Sequence, residues 1–311
     1  MKRGIAAFAL GLVALTFGCA TPAPLRVMSF NIRTSTIDDG ENAWPRRRDV
    51  LIETIRSANC DVLGLQEVMA EQLAAVLAAL PEYDYYGVGR DDGASGGEFA
   101  PILFRKDRLE LVSAGHFWLS ATPDRPGSVG WDAALPRIAT WARLTFRSNP
   151  FREFYVYNTH FDHVGEAARR ESARLLRRSI EIIGGRPVLV LGDFNAAPGS
   201  DPYRELTGSR GNLAELRDAF VELGLAPRSA DAGTTAPASD AEAAAATAMP
   251  LGTFHGFSGV PGERIDWVLH NRQWQTLNAA VIATALQGVW PSDHFPVTAT
   301  LRLREPGEPT D

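Results

Sequence analysis

Four apolar residues in an unbroken row, Val188-Leu189-Val190-Leu191, run straight into Gly192-Asp193-Phe194-Asn195. Bounded by Pro187 and Gly192, so short and continuous a run reads as a strand covered on both faces, because an exposed face would alternate with polar residues. The strand ends in a carboxylate and an amide two positions apart. On an extended segment both side chains point the same way, so one can accept a proton while the other orients a ligand or a water. The other reading is a β-turn, in which Asp and Asn are common.

The rest of the chain repeats the pattern of apolar strands with polar ends. Arg26–Ile32 alternates and ends near Asn31, and Asp61–Val68 is a buried strand that turns polar at Gln66-Glu67. Tyr83–Gly89 and Ala100–Phe104 read as an antiparallel pair, and Leu109–Leu119 as a continuation of that sheet. Arg137–Leu144 and Glu153–His160 read as paired strands, and Arg264–Leu269, Val281–Ala285 and Val297–Leu303 as further strands. Helices are expected after Trp44-Pro45, with Pro in the first turn, around Leu73, Val76, Leu77 and Leu80, and over Glu166–Ile183. Arg46, Arg47 and Arg48 fall in the first of these and read as a solvated face, since cations at a helix start oppose its dipole. Residues 121–135 form a long loop, and loops of that length usually have a job.

With 311 residues, 45% of them hydrophobic, one large core is within reach. The expected architecture is a single α/β domain over 26–305, with two sheets packed face to face and helices outside. Residues 227–250, rich in Ala, Ser, Thr, Asp and Pro, read as a surface insertion without fixed structure, and 306–311 as a tail. Residues 1–19 read as a signal peptide: Lys2 and Arg3 precede an apolar run too short to span a bilayer. Gly18-Cys19-Ala20 resembles a lipoprotein processing site, although Thr16 stands where Leu is usual, and 20–25 would then be a tether. The chain is therefore expected to be exported, to the periplasm or as an outer-membrane lipoprotein. It would touch membrane only through a lipid at Cys19, and it is expected to be a monomer. Cys60, left alone once Cys19 is processed, reads as a small buried hydrophobe. A net charge of -6 and no basic tail weigh against a stable nucleic-acid partner, but not against a small phosphorylated substrate held at a metal.

Asn31, Glu67, His160, Asp193, Asn195, Asp266, Asp293 and His294 all stand at strand ends. Such residues are costly to bury unless they pair or bind something, so this many on separate strands suggests one pocket. Carboxylate and amide oxygens, with no thiolate cluster, suit a hard divalent cation.

Six segments stand in the order of the endonuclease/exonuclease/phosphatase, or deoxyribonuclease I-like, superfamily: Ser29-Phe30-Asn31-Ile32, Leu65-Gln66-Glu67-Val68, Asn158-Thr159-His160-Phe161, Gly192-Asp193-Phe194-Asn195, Arg264-Ile265-Asp266-Trp267 and Ser292-Asp293-His294-Phe295-Pro296-Val297. Further stretches, Asp39–Trp44, Gly97–Ile102 and Trp131–Arg137, resemble a bacterial branch of it. The resemblance implies a four-layer α/β sandwich with two mixed, mostly antiparallel sheets, and an Mg²⁺- or Mn²⁺-dependent phosphoesterase. It implies Glu67 as principal metal ligand, Asn31 orienting metal or phosphate, and Asp293 on the metal side. Asp193 would align and deprotonate the attacking water, with Asn195 fixing that geometry. His160 and His294 would contact the phosphate as imidazolium groups, His294 held by Asp266. Arg137 and His163 are the first candidates for substrate contacts, while Trp44, Trp131 and His255 would line the mouth or serve packing. Some apurinic endonucleases of the superfamily carry an acid two places after the Asn; here that place is Arg33, which cannot bind a cation. One metal is therefore expected. The rival reading is a cell-surface binding module that kept the fold and lost catalysis.

Overall fold

A computed structural model describes residues 22–208, 215–226 and 252–309. The expected leader with Cys19, and the 227–250 insertion, lie outside these residues.

One sheet contains β1 (Leu25–Asn31), β2 (Val62–Gln66), β3 (Tyr83–Tyr86), β4 (Ile102–Arg105), β11 (Trp274–Val281) and β12 (Val297–Leu303), in the order β11-β12-β1-β2-β4-β3. The other contains β5 (Leu109–Trp118), β6 (Ile138–Phe146), β7 (Asn149–His160), β8 (Val188–Asp193), β9 (Leu216–Asp218) and β10 (Asp266–Asn271), in the order β5-β6-β7-β8-β10-β9. Each sheet holds one parallel pair, β1 with β2 and β7 with β8, among antiparallel neighbours. Helices α1 (Trp44–Ala58) and α2 (Ala70–Ala79) cover the outer face of the first sheet, burying Leu51, Ile55, Leu73 and Val76 against Met28, Phe30 and Leu65. Helices α3 (Glu166–Ile182) and α4 (Asp201–Thr207) cover the second, with Leu176, Ile180 and Leu206 against Tyr157, Val190 and Trp267. A third core, between the sheets, joins Val27, Val62 and Ile102 to Val156, Leu189, Leu191 and Val268. Three apolar layers make a four-layer sandwich, and each fully buried Leu or Val contributes roughly 1.5–3 kcal/mol.

The pleat makes the inner layer a gradient. Inward positions read Leu25, Val27, Ser29, Asn31 along β1, Phe154, Val156, Asn158, His160 along β7, and Leu189, Leu191, Asp193 along β8. Half-way along, Asn158 crosses between the sheets. Its Nδ2 donates to the carbonyls of Leu65 (2.7 Å) and Pro101 (2.8 Å), and Gln66 Nε2 donates to its Oδ1 (2.7 Å). Gly64 permits the approach, since a Cβ there would come 2.7 Å from Asn158 Oδ1.

Four local expectations change. Leu109–Leu119 does not continue the sheet of β3 and β4; its strand, β5, opens the second sheet. The strand expected at Val281–Ala285 shares only Val281 with the observed β11, which runs Trp274–Val281. A register shift between Thr276 and Asn278 breaks the alternation there and leaves Leu277 exposed. Asn195 is not extended: it has φ 46°, and its N–H donates to Asp193 Oδ1 at 2.9 Å, so a turn rather than the pleat aims both side chains. Arg47 is fully buried, unlike its exposed neighbours Arg46 and Arg48. Its guanidinium donates to the carbonyls of Ile32, Arg33 (2.6 Å), Asn42 (2.9 Å) and Pro291 (3.1 Å). Burial lowers its pKa to about 10, still well above neutrality. The long 121–135 loop also has a structural job: Asp132 accepts from the N–H groups of Ala167 and Ala168, capping α3. Cys60 is buried and unpaired, its thiol pushed up to about 12 by burial.

Candidate active site

The carboxyl ends of both parallel pairs meet at one rim of the sandwich, together with the starts of β10 and β12. Asn31 is level with Gln66, His160 with Asp193, and Asp266 with Asp193 across the antiparallel pair. Three residues just past strand ends, Arg33 (φ 55°), Glu67 (φ 59°) and Asn195 (φ 46°), adopt left-handed backbone without being glycine. Each such residue stores on the order of 1–3 kcal/mol and is typical of functional sites. The rim encloses a cavity of about 420 Å³ lined by Glu67, Arg137, His160, His163, Asp193, Asn195, Asp293 and His294 among others. Asn31 and Asp266 lie fully buried beneath it. All ten predicted site residues therefore converge.

Asp193 is the centre. Its Oδ2 accepts from Asn31 Nδ2 at 3.0 Å, and lies 3.5 Å from His160 Nε2 and 3.8 Å from His294 Nε2. Burial and the adjacent Asp266 carboxylate push Asp193 up to about 7. His294 Nδ1 lies 2.9 Å from Asp266 Oδ2. Burial opposes charging His294, but Asp266 and Asp193 overcome it and hold the ring charged up to about 10. His160 goes the other way. Burial, then Arg137 and Arg90, hold it neutral, far below its ordinary value. Burial and neighbouring cations thus disfavour the imidazolium expected at His160, whose Nε2 lies 3.0 Å from Asn195 Nδ2.

Glu67 and Asp293 face the same side of the cavity. Burial disfavours the Glu67 carboxylate, but donors from Asn31 (3.0 Å) and the Thr34 N–H (3.0 Å) keep its pKa below the ordinary value. Burial raises Asp293, and Ser292 Oγ donates to its Oδ1 at 3.2 Å. Two carboxylates lining one cavity, Asp293 buried and Glu67 half-buried, fit a hard cation. Asn31, expected to orient metal or phosphate, turns its nitrogen to Glu67 and Asp193, and its Oδ1 accepts from the Arg33 N–H at 3.0 Å with a second lone pair to spare. An amide nitrogen donates protons and cannot hold a cation. The donor atoms of Asp193, Asp266 and His294 also lie within 4.8 Å of one another. That trio already carries its own positive charge on the imidazolium, so it suits proton handling better than metal binding.

A wall of cations rises above these residues. Arg137 Nε lies 3.3 Å from Asp162 Oδ2, and its Nη2 2.9 Å from His163 Nδ1. Arg90 pairs with Glu98 at 2.6 Å. Ile37, Leu135 and Phe254 form a partly exposed apolar lip. Sequence reasoning missed Arg90, Glu98 and Phe254. The signal for the first two was the Gly93–Gly97 loop, which closes a hairpin through Arg90 N–H to Glu98 O at 3.0 Å. His255, expected at the mouth or in packing, stacks on Phe295 at 3.9 Å, and neither Trp44 nor Trp131 lines the cavity.

A sequence model of the endonuclease/exonuclease/phosphatase family matches residues 28–294. The chain belongs to that family. An endonuclease/exonuclease/phosphatase from Bacteroides vulgatus superposes with TM-score 0.77 at 37% identity, covering 91% of this chain and 100% of that one. A mannosyl-6-phosphatase from Bacteroides thetaiotaomicron superposes with TM-score 0.75 at 32% identity, covering 89% and 99%. Nocturnin of Drosophila melanogaster is 27% identical over 235 residues, 67% of this chain and 34% of that protein. The chain spans less than two thirds of the first curated relatives it matches. The two six-stranded sheets with helices outside are the family's α/β sandwich.

Proposed function

We propose that the protein is a divalent-metal-dependent phosphoester hydrolase acting on a small phosphorylated substrate, such as a sugar phosphate. The observation that carries this reading is Asp193, fixed by Asn31 and the Asn195 N–H while facing an imidazolium that Asp266 holds in place. Asp193 takes a proton from the attacking water, a contribution of roughly 10²–10⁴-fold. The His294 imidazolium stabilises charge growing on the phosphoryl oxygens and can return a proton to the leaving oxygen. Glu67 and Asp293 would hold Mg²⁺ or Mn²⁺, which when bound would neutralise phosphate charge and polarise the phosphorus. Asn195 and His160 keep Asp193 aligned. Arg137 and His163 contact the substrate from the wall.

Three features favour a small substrate over nucleic acid. The cavity of about 420 Å³ suits one sugar phosphate. The net charge of -6 does not promise the extended basic track that a polyanion needs. A relative at 32% identity is named for removing phosphate from a mannosyl unit. The test is turnover of hexose 6-phosphates, bis-p-nitrophenyl phosphate, sphingomyelin, RNA and plasmid DNA, each with Mg²⁺, Mn²⁺ or EDTA. EDTA-sensitive release of phosphate from the hexose phosphates is expected. Silence on every substrate would favour the binding-module reading instead.

A further inference from the structure

We propose that Arg33 is the residue that makes this site prefer a phosphomonoester dianion to a phosphodiester. The inference deepens the hydrolase reading above and rests on it for the word substrate, but the guanidinium's role in anion binding can be measured without turnover.

Three guanidinium groups line the cavity: Arg33, Arg90 and Arg137. The side chains of Arg90 and Arg137 are only 9% and 4% exposed, and each pairs with a buried or half-buried acid, Glu98 or Asp162. Arg33 is 27% exposed, so it meets the solvent that a substrate would displace. Its position is set from several sides. Its backbone is left-handed, its N–H donates to Asn31 Oδ1 at 3.0 Å, and its carbonyl accepts from Arg47 Nη2 and from Gln72 Nε2 at 2.9 Å. The guanidinium is held as a fork: Nε and Nη2 donate to the two Asp39 oxygens at 3.0 and 2.9 Å. That leaves Nη1, which stands 3.7 Å from Asp293 Oδ2. Asp39 fixes the group without occupying that nitrogen. A fixed cation whose Nη1 makes only a long ion pair, 3.7 Å to Asp293, and no hydrogen bond therefore sits beside the carboxylates suited to metal.

A monoester dianion presents three unsubstituted oxygens and two negative charges, and a diester presents two oxygens and one charge. His294 and a cation at Glu67 and Asp293 would account for two oxygens, with Arg137 and His163 reaching the rest of the substrate from the wall. Arg33 supplies a planar donor for the third. In a diester that oxygen carries an alkyl group, which would face the guanidinium with nothing to accept its hydrogen bonds.

The experiment measures calorimetric binding to the Mg²⁺-loaded full chain at pH 8, where inorganic phosphate is mainly a dianion, with dimethyl phosphate as the diester mimic. The wild type should favour phosphate, and Arg33→Gln should lose about 10–100-fold in phosphate affinity, as expected for a hydrogen bond to a charged group. Dimethyl phosphate affinity should change less than about threefold. Arg33→Lys keeps the charge but loses the fork, so it should recover part of the loss. Equal losses for both anions, or no loss for phosphate, would overturn the proposal, and thermal unfolding of each variant separates a binding defect from a folding one. Turnover of p-nitrophenyl phosphate and its bis ester in parallel should show the same shift in preference. A protein with no turnover but with the Arg33-dependent phosphate preference would refute the hydrolase reading and leave this inference standing.

Discussion

The layer between the sheets has two ends built from the same strands. At one end β1, β7 and β8 contribute Leu25, Val27, Phe154, Val156, Leu189 and Leu191, packed with Phe146 and Trp274. At the other, beyond Ser29 on β1 and Asn158 on β7, the inward positions are Asn31, His160 and Asp193. The pleat is the same, and only the side chains differ. The apolar end fixes strand spacing and register, and so delivers the polar groups to within hydrogen-bonding distance of one another. The polar end works against stability, since it crowds buried carboxylates and holds three non-glycine residues left-handed. Folding energy gathered at one end thus holds a destabilised arrangement at the other.

The sharpest way to break this comparison is to change neighbouring inward positions of β8. Asp193→Asn should lower kcat by about 10²–10⁴-fold through loss of the base, while thermal unfolding stays level or rises because a crowded buried charge is gone. Leu191→Ala, one inward position earlier, should cost about 2–5 kcal/mol of stability and leave kcat per folded molecule nearly unchanged. If denaturant unfolding showed Asp193→Asn to be the more destabilising of the two, the division between the ends would be wrong.

A pH series sharpens the same point. Asp193 moves from its ordinary 3.8 up to about 7, and His294 from 6.5 up to about 10. Both bind protons more tightly folded than unfolded, so both make stability fall as pH rises. The Asp193 contribution is lost between its two values, and the His294 contribution as pH climbs from 6.5 towards its folded value. His160, held below its ordinary 6.5, works the other way below that value, so EDTA-treated protein should melt lower at about pH 9 than at about pH 6.5. Asp193→Asn should remove the Asp193 share of the change below pH 7. Activity should follow a bell, rising as Asp193 loses its proton and falling as His294 does. A stability that climbed steadily between those pH values would contradict the charge states assigned here.

The polar end was the more legible of the site's regions, and the reason is geometric. Asn31, Glu67, His160, Asp193, Asp266 and His294 each follow or open an apolar run, so the change in hydropathy marks them. The wall had no such marker. Arg90 and Glu98 face each other only because a glycine loop folds back, and Arg47 reads as a surface cation until the carbonyls of Ile32, Arg33, Asn42 and Pro291 are seen around it. The strands followed from alternation or from unbroken apolar runs, except the short β9 and the β11 that a register shift hid, while β5 reads into the wrong sheet. Side-chain charge was less legible than position: His160 and His294 look alike in sequence, yet burial beside arginines and burial beside carboxylates set them to opposite states.

The smallest expected effect concerns the lip, which belongs to neither end. Phe254 is 42% exposed, lines the cavity, and meets the His294 ring edge-on at 5.1 Å between centroids. Its backbone also ties it to the catalytic loop, through a β-bridge to His294 that does not depend on the ring. Phe254→Ala should therefore leave the fold and kcat close to wild type. The ring offers an apolar face for the non-phosphate part of a substrate, worth about 0.5–1.5 kcal/mol, so KM for a hexose phosphate should rise by roughly 2–12-fold. For inorganic phosphate, which has no such part, binding should be unchanged. A fall in kcat with KM constant would instead mean that the ring acts on the His294 imidazolium, and Phe254 would then belong with the polar end.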